Sequence, residues 1–109
     1  MSILEAIKNA LKKIWEYIKK IFVKIIQFVE NIANWFRSPE RLRHIRDNKN
    51  NLPVVIKEIL ASGNYNVINC LYNQEKEEID DYQAEVVEGE KCDNDTLRYF
   101  GNKTMIVLQ

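Results

Sequence analysis

The chain has 109 residues, 46% hydrophobic and 29% charged, with a formal net charge of zero. That length holds one small domain, and three Gly and two Pro exclude a low-complexity or mainly disordered chain. The charge is uneven: residues 1–49 carry eleven Lys and Arg against five Asp and Glu, and residues 50–109 carry five against eleven.

Residues 3–36 hold the strongest pattern. Counted by sevens, Leu4, Leu11, Ile18, Ile25 and Ile32 form one apolar column, and Ile7, Ile14, Ile21, Phe28 and Trp35 form a second. Trp15, Phe22, Val29 and Phe36 form a third, which fails only at Lys8. Alternating spacings of 3 and 4 belong to a helix packed along a seam. The pattern predicts a single amphipathic helix over 3–36, started by Ser2 as N-cap with Glu5 completing a capping box. Lys12, Lys13, Lys19 and Lys20 fall on its polar side.

Ser38-Pro39-Glu40 reads as a second start and predicts a short helix over 39–47, with Leu42 and Ile45 on one side. After a polar break at 47–51, a third helix is predicted over 52–61. Pro53 lies in its first turn, Gly63 stops it, and Leu52, Val55, Ile56, Ile59 and Leu60 form its buried face. The run 65–72 is rich in strand formers, 74–81 reads as an acidic loop, and 82–88 alternates as a second strand. Asp93-Asn94-Asp95 caps a short helical turn through Leu97 and Tyr99, stopped by Gly101, and 104–108 makes a last strand around Met105-Ile106-Val107. The predicted fold class is α+β: a long N-terminal amphipathic helix and a short second helix, then a small α-β-β-α-β unit with a three-stranded, mostly antiparallel sheet. Two regions follow: a basic helical assembly segment, 1–49, and a small acidic α+β domain, 50–109.

Size gives the functional expectation. A helix over 3–36 is roughly 50 Å long, whereas a body of some 60 residues is roughly 25–30 Å across. An apolar stripe left uncovered marks an interaction surface. The expected function is non-enzymatic assembly or adaptation, by self-association or by bundling with a partner helix. The interface would comprise the fourteen apolar residues Leu4 to Phe36 of the three columns. The alternative is peripheral attachment to anionic lipid through the Lys-rich helix. Lys12, Lys13, Lys19, Lys20, Arg41 and Arg43 are the candidate contacts for an anionic surface. Arg37, Arg41, Arg43, His44, Arg46 and Lys49 form a basic cluster on and beside the second helix; the acidic C-terminal half argues against nucleic acid, and a basic surface docked on the chain's own acidic loop is the simpler reading.

No catalytic constellation, cofactor or small-molecule substrate is evident. The lone His44 sits among arginines, and the carboxylates of 75–81 lack the order and turn glycine of a calcium loop, so no metal is expected. Cys70 and Cys92 have no zinc spacing, and whether they pair depends on geometry. No secretory leader or membrane span is expected. The expected location is cytoplasmic, free or peripheral to a membrane.

Overall fold

A computed structural model describes residues 2–108. The N-terminal segment is not one helix. α1 runs Ile3–Lys13 and is followed by a single 3-10 turn, Trp15–Tyr17. Next comes a strand, β1, Lys19–Ile26. A π-helical turn, Phe28–Ala33, leads into the one-turn α2, Asn34–Phe36. The cap at the start forms as predicted: Ser2 Oγ accepts from the Glu5 N–H at 3.2 Å. The helix then stops where the Ile14 N–H turns back to the Leu11 and Lys12 carbonyls. Half of β1 is Ile or Val, side chains that are stiff at χ1 and suited to an extended chain.

The second helix appears at its predicted place. α3, Pro39–Asp47, has Ser38 Oγ accepting from the Arg41 N–H at 3.2 Å and Pro39 in its first turn. The predicted third helix does not form. That segment is β2, Asn51–Ile59, followed by β3, Tyr65–Asn73, and β4, Glu78–Cys92. α4, Asn94–Phe100, and β5, Met105–Val107, complete the chain. Val54, Val55 and Ile56 are all fully buried. A strand covered on both faces reads as an unbroken apolar run, which spacing alone does not separate from a helix. Pro53 is tolerated because it faces β5: its carbonyl accepts from the Leu108 N–H at 2.8 Å, just outside the paired residues Val54 to Ile56. Gly63, at φ +91°, serves the β2–β3 hairpin rather than a helix end.

The sheet therefore has five strands, not three, in the order β1-β4-β3-β2-β5, and it is mixed: β1 runs parallel to β4 and the other pairs are antiparallel. Both halves of the chain contribute to it. On one face, Ile7, Ala10 and Leu11 of α1 and the capping Ile14 pack on Val54, Ile56, Ile68, Cys70 and Val86. On the other, Ile32, Trp35, Phe36 and Phe100 pack on Val55, Val67, Leu71 and Val87. Cys70 belongs to the first core and Cys92 packs against the second, and both thiols are free.

One irregularity shapes the surface. β3 and β4 are in register from Tyr65↔Gly89 to Cys70↔Ala84 and resume at Tyr72↔Ile79. Residues 80–83 therefore bulge out opposite Leu71 alone. Asp81 (φ +45°) and Tyr82 (φ +57°) sit in the left-handed region, which costs a non-glycine residue about 1–2 kcal/mol. Bulges of this kind re-aim side chains.

Candidate functional site

The predicted seam is mostly closed within one copy. Ile7, Leu11 and Ile14 are buried under the first face, and Leu4 and Ile18 pack against them. Ile32, Trp35 and Phe36 are buried under the second, with Phe28 packed alongside, and Ile21 is half-buried. The expectation of a stripe outrunning the body fails because the chain turns at Ile14 and crosses from one sheet face to the other through β1. Of the fourteen residues, Trp15, Phe22, Ile25 and Val29 remain exposed.

Two of those four lie on the rim of the sheet. β5 forms one edge and is only three residues long. β1 forms the other, with eight residues, Phe22 69% exposed and Ile25 42% exposed. In any parallel pair, alternate residues turn their N–H and C=O away from the neighbouring strand. β1 therefore presents a row of unpaired backbone groups beside apolar side chains, the arrangement that draws in another strand.

The edge is electrically near balance. Lys20 Nζ lies 3.2 Å from Glu88 Oε1 and 5.2 Å from the Phe22 ring centre. Hydrogen bonds from Asn64 and Lys20 hold the Glu88 carboxyl below its ordinary pKa. Lys19 stands in register with Glu85. Burial raises the Glu85 pKa, partly offset by Lys19 and Arg41.

The six candidate contacts for an anionic surface do not gather in one patch. Lys12 and Lys13 are exposed in the last turn of α1, Lys19 and Lys20 lie on β1, and Arg41 and Arg43 belong to α3. Arg41 is engaged internally: it donates to Gln83 Oε1 at 3.0 Å and to the Trp35 carbonyl at 2.9 Å, and its guanidinium lies 3.9 Å from the Trp35 ring centre. Burial lowers its pKa against the opposing pull of Glu85 and Glu40.

Sequence spacing gave no sign of a second grouping, at the β4 bulge. His44 of α3 lies 2.5 Å from Asp80 Oδ2 through Nδ1 and 3.6 Å from Asp81 Oδ2 through Nε2. The Asn51 amide donates to the same Asp80 oxygen at 3.3 Å and to the His44 carbonyl at 3.1 Å. Asn73 donates to Asn51 Oδ1 at 3.2 Å. Asn51 and Asn73 are both buried, so this ladder fixes Asp80 and α3 from beneath. The thiols are not activated. Burial pushes Cys70 up to about 12, and raises Cys92 as well. Among the described residues no helix is long and apolar enough to cross a membrane.

Comparison with protein-family models, with curated proteins and with solved structures found no match for this chain.

Proposed function

We propose that the protein is a non-enzymatic assembly module that pairs with a second copy of itself along the open edge of β1. The supporting observation is that edge: an eight-residue strand paired on one side only and carrying Phe22 and Ile25 in the open, while the opposite edge is only three residues long. Strand addition draws affinity from main-chain hydrogen bonds and register from side chains. It replaces the helix bundle expected from the sequence.

The sequence of β1 favours one register. A two-fold antiparallel pairing sets residues of like parity opposite one another, because opposed residues are hydrogen-bonded or unbonded together. Centred on Phe22, it would oppose Lys20 and Lys24 of the second copy. Centred on Val23, it opposes Ile21 with Ile25, Phe22 with Lys24, and Lys20 with Ile26. Cross-strand pairs are worth about 0.2–1 kcal/mol each, and like charges directly opposite are unfavourable. The Val23 register gains an Ile–Ile pair twice and a lysine beside an aromatic ring twice. Lys19 and Lys20 are already met by Glu85 and Glu88 on β4, and Lys24 faces Phe22 of the second copy in this register, so the edge does not call for an acidic partner.

Light scattering over a concentration series tests this. The wild type should reach twice the 12.9 kDa chain mass and dissociate on dilution. Phe22→Lys, at a site exposed in the single copy, should leave a folded monomer by setting a lysine opposite Lys24. Adding Lys24→Glu should restore the dimer. A wild type that stays monomeric, or a dimer untouched by Phe22→Lys, defeats the reading. Anionic lipid is the second reading, favoured by exposed Trp15 and Tyr17 beside Lys12 and Lys13. Binding to anionic vesicles by a protein that stays monomeric would put it first.

A further inference from the structure

We infer that the β4 bulge and α3 form a binding site for a divalent transition-metal ion such as Zn2+, with His44 Nε2 and the Asp81 carboxylate as ligands and Asp80 as the group that orients the imidazole. One ligand atom from each of the three residues lies within 4.8 Å of the other two.

The geometry divides the two carboxylates. Asp80 Oδ2, at 2.5 Å, accepts the Nδ1 proton of His44, and the Asn51 amide holds that oxygen in place. In the neutral ring with its proton on Nδ1, the other nitrogen, Nε2, carries its lone pair outward. A metal-bound histidine has this same arrangement, one ring nitrogen donating to a carboxylate and the other free to ligate. Nε2 faces Asp81 Oδ2 at 3.6 Å. That separation is too long for a hydrogen bond, and two acceptors facing each other repel. A shared cation turns this into attraction. With bonds of about 2.0–2.2 Å, two ligands around a zinc ion stand roughly 3.0–3.6 Å apart.

Mixed nitrogen and carboxylate donors suit zinc and neighbouring transition metals better than calcium or magnesium, which favour all-oxygen shells. Two of the three arginines of α3 are engaged away from the site. Arg41 is turned to Trp35 and Gln83, and Arg46 lies toward Asp47 at 3.8 Å. Arg43 does line the cleft, together with Asp47, Asn48 and Asn51. Asp81 is 71% exposed, which leaves the remaining coordination positions to water.

The test is a calorimetric titration of the full chain with ZnCl2, alongside NMR of the His44 ring. One ion should bind per chain, with the His44 ring signals shifting in step, and equal concentrations of Mg2+ or Ca2+ should not displace it. Asp81→Asn removes a ligand whose side chain makes no hydrogen bond among the described residues, so this variant should fold normally and lose at least about tenfold in affinity. Asp80→Asn should cost about 10–100-fold, as orienting residues do. His44→Gln should abolish binding. Zinc binding that survives both Asp81→Asn and His44→Gln lies elsewhere and overturns the assignment. So does the absence of saturable binding. A His44 ring charged on both nitrogens and indifferent to zinc would show that a proton, not a metal, bridges the carboxylates.

Discussion

Asp93 caps α4 and ties it to the chain leaving β1, on the same face of the sheet. Its carboxylate accepts from Thr96 N at 2.8 Å, from the Thr96 hydroxyl at 2.5 Å and from the Phe28 N–H at 3.2 Å. Burial opposes its ionisation, but the bonds from Thr96 and Phe28 outweigh that, and its pKa lies below the ordinary value. A carboxyl depressed in the folded state adds stability that is fully present above the unfolded value, about 3.9, and is lost as pH falls through the folded value. Asp93→Ala should therefore cost about 0.5–2 kcal/mol in urea unfolding at pH 7, and the deficit should shrink once the pH drops below about 4. An equal deficit at both pH values would mean the charge has no part in the cap. Cys70 supplies a second check at this scale. Buried, with its thiol pushed up to about 12, it should resist iodoacetamide at pH 8 in the native protein and react only on unfolding. Rapid native labelling would show that the first core opens. Local features of this kind were legible in the sequence. Ser2, Ser38 and Asp93 each act on an N–H three residues on, and that relation is visible without any tertiary knowledge. His44, Asp80 and Asp81 were not legible together. They are separated by more than thirty residues and meet only because β4 bulges.

At the scale of elements, β1 and β2 both carry apolar patterns that fit a helix as well as a strand. Ile18, Ile21, Phe22, Ile25 and Phe28 fit a helical period, and Ile21, Val23 and Ile25 also alternate as a strand would. No Gly or Pro lies between Ser2 and Ser38 to mark the change. What decides it is the partner: β1 gains a full parallel ladder on β4, and no local signal announces a partner some sixty residues away. α3, α4, β3 and β5 came through because each has a cap, a turn residue or a concentrated β-forming run of its own. The seating of β1 can be probed at Gly89. A Cβ built there would meet Ile26 Cγ1 at 2.7 Å, and Ile26 is fully buried with no room to retreat. Gly89→Ala should cost about 1–3 kcal/mol, as overpacking does, and Ile26→Ala, which removes the clashing Cγ1, should cost less in the Gly89→Ala chain than in the wild type. A neutral Gly89→Ala would mean that β1 is not packed against β4 as described.

The whole molecule is a sheet covered on both faces, with one short edge and one long one. The two cores account for most of the apolar residues that first suggested an external bundle, and of the four left exposed Phe22 and Ile25 lie on the long edge. The heptad pattern assigns those residues to a single helix face, which the turn at Ile14 and the strand β1 replace. The charge pattern points to a basic helix facing an acidic loop, and α3 does meet the start of β4 through His44 and Asp80. Sheet order, the parallel β1–β4 pair and the bulge depend on long-range pairing and could not be read.

Amide hydrogen exchange along residues 19–26, followed at high and low protein concentration, tests the open edge most directly. Amides bonded to β4 should be slow at both concentrations. The alternating set turned away from β4 should be slow only at high concentration, where a second copy covers it. Uniform, concentration-independent protection from residue 3 to residue 36 would restore a single helix. An outward set that exchanges fast at every concentration would remove the paired edge.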